Sequence, residues 1–384
     1  MNIGYFFWGH LSDKLGENTK NTPDGNAWYS SSIIHELQKR KHNVFLLSID
    51  RDKEDFNIFK EECFKSFEFK KRINVYKNSK WCKWNDTFSS LIEFPKLDIL
   101  LLEWRFLIQG RNDLELENSV NWQPDLKMQT ILLNYYSKQK TKIIIFDLDY
   151  KLTIKDEEQL LKQFSNNIFI LETAKKIKQT ILPRISVEIP FWIINSKIFK
   201  NKKVNKNKQI VYIGSNYERE DSINKYILPF SKENPFTCWF YGNWRNYPEI
   251  VEKIYCDLKW RDIQYHHRVG HSDFLEVYND SICCPLLAKQ EYYKNGFTTA
   301  RIQECLYFGS IPIGFKEHYK IEEYLPKELI VSNFKELIKT INFISNFSIK
   351  KRNNYREMLW NNLKFMDVKY FINILENLCK QTQL

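Results

Sequence analysis

The stretch Lys294–Phe315, KNGFTTARIQECLYFGSIPIGF, gathers the residue types that grip a diphosphate. Its Asn295-Gly296 turn predicts a helix starting at Thr298 or Thr299. Either threonine can cap that helix, and the N–H groups at a helix start, with the dipole behind them, bind anions. Arg301 and Glu304 lie three apart and therefore share one face. Gly309 ends the helix, and Ser310-Ile311-Pro312 opens a strand. The same spacing also fits an ordinary amphipathic helix with a C-terminal glycine and an exposed Arg–Glu pair.

Three other segments carry related signals. In Gly214–Asp221 (GSNYERED) a glycine directly after a strand lets backbone approach a phosphate or a sugar. Ser215 and Asn216 follow it, and Arg219 adds a guanidinium suited to phosphate. A surface turn with a solvated charge run would read the same way. In Phe240–Trp244 (FYGNW), Gly242 again marks close approach, flanked by Tyr241 and Asn243. In Tyr265–His271 (YHHRVGH), His266, His267 and Arg268 follow a strand. A metal site from His266, His267 and His271 is disfavoured, because adjacent side chains on a strand point apart and no CxxC pair supports zinc.

These segments need elements to hold them. Ile3–Trp8, a helix over Asn26–Arg40 and Val44–Ile49 read as a βαβ unit, which implies a parallel sheet. Further strands are expected at Leu97–Leu102, Ile143–Phe146 and Asn167–Leu171. Asn195–Lys208, basic and of low complexity, reads as a linker. The pattern then restarts with strands at Gln209–Ile213, Thr237–Tyr241, Ile263–His266, Ser281–Leu286 and Ile311–Gly314. The expected organisation is an N-terminal domain over 1–194, a linker over 195–208, a second domain over 209–350 and a helical segment over 351–384. With 384 residues, two cores are the natural expectation.

Lysine and arginine number 58 against 47 acidic residues, a net charge of +11 that suits an anionic partner but also fits many solvated lysines. Eight cysteines without metal spacing, several in apolar runs, favour a reducing cytoplasm. No basic-then-apolar leader opens the chain, and no apolar run reaches membrane-spanning length.

The Lys294–Phe315 segment resembles the donor site of GT-B glycosyltransferases, and the other three segments follow in the family's order. The resemblance covers about the last 170 residues. It implies two facing Rossmann-like α/β domains, with a C-terminal helix returning to the N-terminal one. It implies a nucleotide-sugar donor, taken to be a UDP-sugar, with no further cofactor and no metal. Thr298 and Thr299 would face phosphate, Glu304 the ribose hydroxyls, and His267 and Arg268 the base or phosphate. Gly214, Ser215, Asn216, Arg219, Tyr241, Gly242, Asn243 and Arg301 complete the expected donor set. In the N-terminal half the likeness is looser. There Gly25 and Asn26 of the TPDGN loop, Glu103, Arg105 and Asp147 are expected to line an acceptor site, and Asp24 or Asp149 to act as base. The Asp147-Leu148-Asp149 triplet matches the metal motif of the other large glycosyltransferase fold, GT-A, yet lies far in sequence from the donor segments.

The pattern is similar to that of phage-encoded GT-B enzymes that add sugars to hydroxymethylated pyrimidines in double-stranded DNA. That acceptor, a monomeric state and a place in the host cytoplasm are the resulting expectations, with Lys202, Lys203, Lys206 and Lys208 as phosphate contacts. Two alternatives stay open: a bacterial transferase building surface polysaccharide, and a non-catalytic nucleic-acid-binding protein on a Rossmann-like scaffold.

Overall fold

Continuous runs of branched apolar residues become strands covered on both faces. The computed structural model describes residues 1–7, 25–48, 71, 74–104, 123–148, 152–164, 167–176, 181–190, 197–214, 218–242, 244, 262–266, 269 and 273–380. Two compact units divide them. One holds the described residues up to 190 together with 366–380, and the other holds 197–365.

The first unit is built on β1 (Asn2–Phe6), β2 (Asn43–Leu46), β3 (Lys80–Trp81), β4 (Ile99–Glu103), β5 (Lys142–Asp147), β6 (Ile168–Glu172) and β7 (Arg184–Ser186), in the order β3-β2-β1-β4-β5-β6-β7. All pairings are parallel, with Ile3 opposite both Val44 and Ile99. Helices α1 (Gly25–Lys39), α2 (Gln123–Tyr136) and α3 (Ile154–Gln163) follow strands in the chain. Leu100, Leu102, Ile143 and Ile145 form one core with Met128, Leu132 and Leu133 of α2. Thr153 and Asp156 form a reciprocal capping box that fixes the start of α3.

The second unit carries β8 (Ile210–Ile213), β9 (Cys238–Tyr241), β10 (Ile263–His266), β11 (Cys283–Pro285), β12 (Ile311–Phe315) and β13 (Ile330–Val331), in the order β10-β9-β8-β11-β12-β13 and again parallel. Its helices are α4 (Glu220–Ser222), continued by a π-turn over Ile223–Ile227 into α5 (Leu228–Glu233), then α6 (Phe274–Tyr278), α7 (Gln290–Asn295), α8 (Arg301–Phe308), α9 (Phe334–Ser345) and α10 (Ile349–Asn362). In each sheet the chain first winds outward and then returns to the other side of its starting strand. The reversal falls between β1 and β4 in the first sheet and between β8 and β11 in the second. Open parallel sheets bind ligands at the carboxyl edge of such reversals.

The terminal segment read as one helix is two. α10 belongs to the second unit, whereas α11 (Val368–Lys380) belongs to the first. There Arg40 of the α1 end donates to Glu376 at 2.8 Å and Asn373 at 2.7 Å, and Phe371 packs on Phe146 with ring centroids 4.9 Å apart. The buried Lys142 ammonium donates to the Leu378 carbonyl, where a helix end attracts cations.

The basic stretch expected as a linker packs into the second unit over its described part. The Asn201 amide is buried and bonds the carbonyls of Asn279 and Gly309. Lys208 is buried, with its ammonium 3.0 Å from Asp280, so it is engaged by the fold and is withdrawn as a phosphate contact. Composition alone had suggested solvated lysines. Among the described residues no helix is long and apolar enough to cross a membrane.

His318, just after β12, is 4% exposed, and neither ring nitrogen has a hydrogen-bond partner among the described residues. Burial lowers its pKa to about 4. Between that value and the ordinary value near 6.5 the unfolded chain binds the extra proton, so stability rises with pH through this window and is flat above it. Lowering the pH from about 6.5 to 4 is expected to cost up to about 3 kcal/mol from this group. Denaturant midpoints measured across the window for wild type and His318→Phe check this; equal slopes would remove the assignment.

Candidate functional site

Strand β8 ends in Gly214, which adopts φ 154°. A Cβ built there would stand 2.8 Å from Arg301 Nη2 and 2.8 Å from the Tyr212 hydroxyl, so only a bare Cα leaves both in place. Arg301, the first residue of α8, reaches back under this glycine. Its Nε donates to the Ile213 carbonyl at 3.0 Å, and its Nη1 donates to the Leu287 carbonyl and to Thr299 Oγ1, both at 3.3 Å. Nη2 makes no hydrogen bond to protein among the described residues. Three bonds fix the plane of the guanidinium and leave one corner with donors to offer.

Arg219 converges on the same place. Its Nε donates to the Leu287 carbonyl at 3.4 Å. The two guanidinium carbons lie 4.5 Å (Arg301) and 5.9 Å (Arg219) from the centroid of the Tyr212 ring. Ile213, Gly214 and Leu287 all stand at the carboxyl edge of β8 and β11, on the two sides of the chain reversal. Two permanent cations, a glycine edge and the start of a helix therefore meet at one point. That arrangement is suited to a dianion such as a diphosphate.

The far end of α8 is held as firmly. The last carbonyls of a helix lack partners within it and carry negative potential. Arg356 donates through Nη2 to the Leu306 carbonyl at 2.5 Å and to Tyr307 at 3.3 Å, and through Nη1 to Phe199 and Asn201. Arg352 Nη2 bonds the carbonyls of Ser281, Ile282 and Gly309. Both arginines are buried, which lowers their pKa values to about 9 for Arg356 and about 10 for Arg352. Gly309 ends the helix as expected, at φ 130°, where a Cβ would strike the Asn279 backbone at 2.5 Å. Sequence reading missed this anchoring. Arginines four apart on a polar helix look solvated, and only their burial distinguishes them.

The capping expectation does not hold. Ala300 is the N-cap of α8, with no side-chain cap bond. Thr299 Oγ1 is taken by Arg301, and Thr298 is 2% exposed, its hydroxyl without a partner among the described residues. Glu304 sits one turn into α8 and is partly buried. Tyr241 stacks on His266 with centroids 4.6 Å apart, and burial pushes its pKa up to about 12. Gly242 follows it at φ 152°. Ser215, Asn216, Asn243, His267 and Arg268 lie outside the described residues, as does His271 of the disfavoured histidine trio.

Glu103 and Asp147, two of the expected acceptor residues, are both buried. Glu103 is 1% exposed, and its Oε1 accepts the Tyr5 hydroxyl at 2.5 Å. Burial and this carboxylate raise the Tyr5 pKa well above its ordinary value. Asp147 is fully buried, and its Oδ2 accepts the Leu152 amide at 2.9 Å. Both carboxylates serve the first sheet and its loops. Their strand-end positions are legible in the chain, but their burial is not. Gly25 and Asn26 open α1. Asp24, Arg105 and Asp149 lie outside the described residues. Among the described residues no group of three His, Cys, Asp or Glu side chains is placed to hold a metal.

Gly214→Ala is expected to push the Arg301 side chain off its three acceptors. Affinity for a diphosphate should fall by roughly tenfold, the scale of one lost charged hydrogen bond. Titration of both proteins with UDP checks it, and unchanged affinity would contradict the close-approach role of Gly214.

No family model matches the sequence, and no curated protein matches it. Solved structures do. A DNA modifying enzyme, β-glucosyltransferase, determined in the presence and absence of uridine diphosphoglucose, is 15% identical with TM-score 0.59, covering 99% of this chain and 99% of that one. T4 phage BGT in complex with UDP and Mn2+ is 14% identical with TM-score 0.58 and the same coverage. The lipopolysaccharide outer core galactosyltransferase WaaB, in apo form, is 11% identical with TM-score 0.52, covering 100% of both chains. This likeness extends over the full chain and establishes the fold as the GT-B type, with parallel-stranded α/β sheets.

Proposed function

We propose that this GT-B protein is a glycosyltransferase that moves a sugar from a UDP-sugar to an acceptor hydroxyl, and that the acceptor is a hydroxymethylated pyrimidine in DNA. One observation carries the donor half. The Arg301 guanidinium is locked beneath Gly214, with Nη2 making no hydrogen bond among the described residues, at the chain reversal of the second sheet. Glycosyl transfer places negative charge on the departing diphosphate, and donors fixed in advance lower that barrier without reorganising. Arg301 and Arg219 fill this role, the N–H groups at the start of α8 add to it, and Glu304 takes the ribose hydroxyls. Gly242 and Tyr241 line the same sheet edge, with Ser215, Asn216, Asn243, His267 and Arg268 completing the donor set.

The DNA acceptor is supported by the likeness to a DNA modifying β-glucosyltransferase and by the net charge of +11. The likeness to a lipopolysaccharide galactosyltransferase supports a second reading, a glycan acceptor. We assign the general base to Asp24 or Asp149, and the acceptor contacts to Gly25, Asn26 and Arg105. The two guanidiniums carry the charge a divalent cation would otherwise carry, so the reaction needs no metal and no further cofactor. The protein acts as a monomer in the host cytoplasm.

Labelled UDP-sugars incubated with hydroxymethylated DNA, unmodified DNA or no acceptor separate the readings. Label in hydroxymethylated DNA alone is the expected result, undiminished by EDTA. Slow donor hydrolysis without labelled DNA favours the glycan reading. Salt-sensitive DNA binding with no sugar turnover points to a non-catalytic protein. A requirement for added Mn2+ would overturn the metal-free part.

Asp149→Asn is expected to lower turnover about 100-fold or more, the usual weight of a general base, with little change in donor affinity. Single-turnover rates beside a UDP titration check it. Wild-type turnover would move the base to Asp24.

A further inference from the structure

We infer that Tyr212 is a positioning residue, a rigid aromatic platform that aims both guanidiniums at the diphosphate. Nothing in the sequence marks this residue, which sits inside the apolar run of β8 and is fully buried. Its ring faces both Arg301 and Arg219, with their guanidinium carbons 4.5 and 5.9 Å from its centroid. The negative face of an aromatic ring attracts a cation and holds a guanidinium flat against it, which fixes where the remaining N–H groups point. Its hydroxyl lies 3.5 Å from the Leu287 carbonyl, the acceptor that both arginines also use.

The platform is itself held. Phe240 and Trp244 pack against the Tyr212 ring with centroids 5.4 and 6.2 Å away, and Trp244 also packs on Phe240 and Tyr265. Trp244 is 2% exposed. These aromatics lock the ring from β9 and β10, the strands on the far side of β8 from β11. A Cβ at Gly214 would stand 2.8 Å from both the Tyr212 hydroxyl and Arg301 Nη2, so the bare glycine leaves the ring and the guanidinium in register. Charge and geometry are thus set before any donor arrives, which is the condition for electrostatic preorganisation.

This inference rests on the donor-site reading above, and the test separates the two. Wild type is titrated with uridine, UMP and UDP, and the same series is run on Tyr212→Phe, Tyr212→Leu and Tyr212→Met. Tyr212→Phe keeps the ring and should bind UDP within about threefold of wild type, since a 3.5 Å contact is a marginal hydrogen bond. The leucine and methionine variants remove the ring and should lose about tenfold or more for UDP, while uridine, which has no phosphate, binds unchanged. Fluorinated phenylalanines placed at 212 preserve shape while draining charge from the ring face, so a folding defect cannot imitate the effect. UDP affinity should fall stepwise with fluorine number. A flat series in a protein that binds UDP overturns the platform role and leaves the donor site standing. Failure of wild type to bind any nucleoside diphosphate overturns both.

Discussion

Arg301→Met is expected to lower the rate of sugar transfer roughly 10²–10³-fold, the cost of removing one preorganised donor from a developing negative charge. The native side chain spends three bonds on Ile213, Leu287 and Thr299, and among the described residues Nη2 makes none. The loss should fall mainly on kcat, because charge on the diphosphate grows as the glycosidic bond breaks. Arg301→Lys should recover little. An ammonium has three donors, but all sit on one nitrogen, so it lacks the planar fork with which separate guanidinium nitrogens reach Ile213, Leu287 and a phosphate. Measured kcat and KM for donor in the three proteins check this. A methionine variant within about threefold of wild type would remove Arg301 from the leaving-group site, given the size of effect expected for such a donor.

Glu304→Ala is expected to act on binding instead. A carboxylate that accepts from ribose hydroxyls meets them in ground state and transition state alike, so its loss weakens donor binding with little change in kcat. The expected cost is about 1–3 kcal/mol, the range for a hydrogen bond to a charged group. Glu304→Gln should lose less, since an amide oxygen still accepts. Calorimetric titration with UDP against UMP and free diphosphate locates the effect. A ribose contact predicts weaker binding of both nucleotides and unchanged binding of diphosphate. Equal affinity for UDP in wild type and alanine variant would place Glu304 outside the site.

The two effects depend on a single helix fixed at both ends, and its legibility in the sequence was uneven. Gly309, the apolar strand after it and the shared face of Arg301 and Glu304 were readable, because glycine and the helical period act locally. The start of the helix was not. Two adjacent threonines predicted a side-chain cap, but neither caps the helix. Arg301 takes the Thr299 hydroxyl, Thr298 is buried, and Ala300 occupies the cap. The same limit explains the missed residues. Tyr212 reads as one apolar position among four, and Arg352 and Arg356 read as surface charge, since pairing through space leaves no trace in local spacing. The burial of Asp147 and Glu103 was equally illegible. Their strand-end positions suggested a ligand edge, while Asp147 Oδ2 accepts the Leu152 amide and Glu103 Oε1 the Tyr5 hydroxyl.

A crystal structure of the protein soaked with UDP is expected to show the diphosphate within hydrogen-bond distance of Arg301 Nη2, over Gly214, with the ribose hydroxyls on the Glu304 carboxylate. Nucleotide bound elsewhere on the chain, or a diphosphate turned away from Arg301 with the ribose far from Glu304, would contradict it.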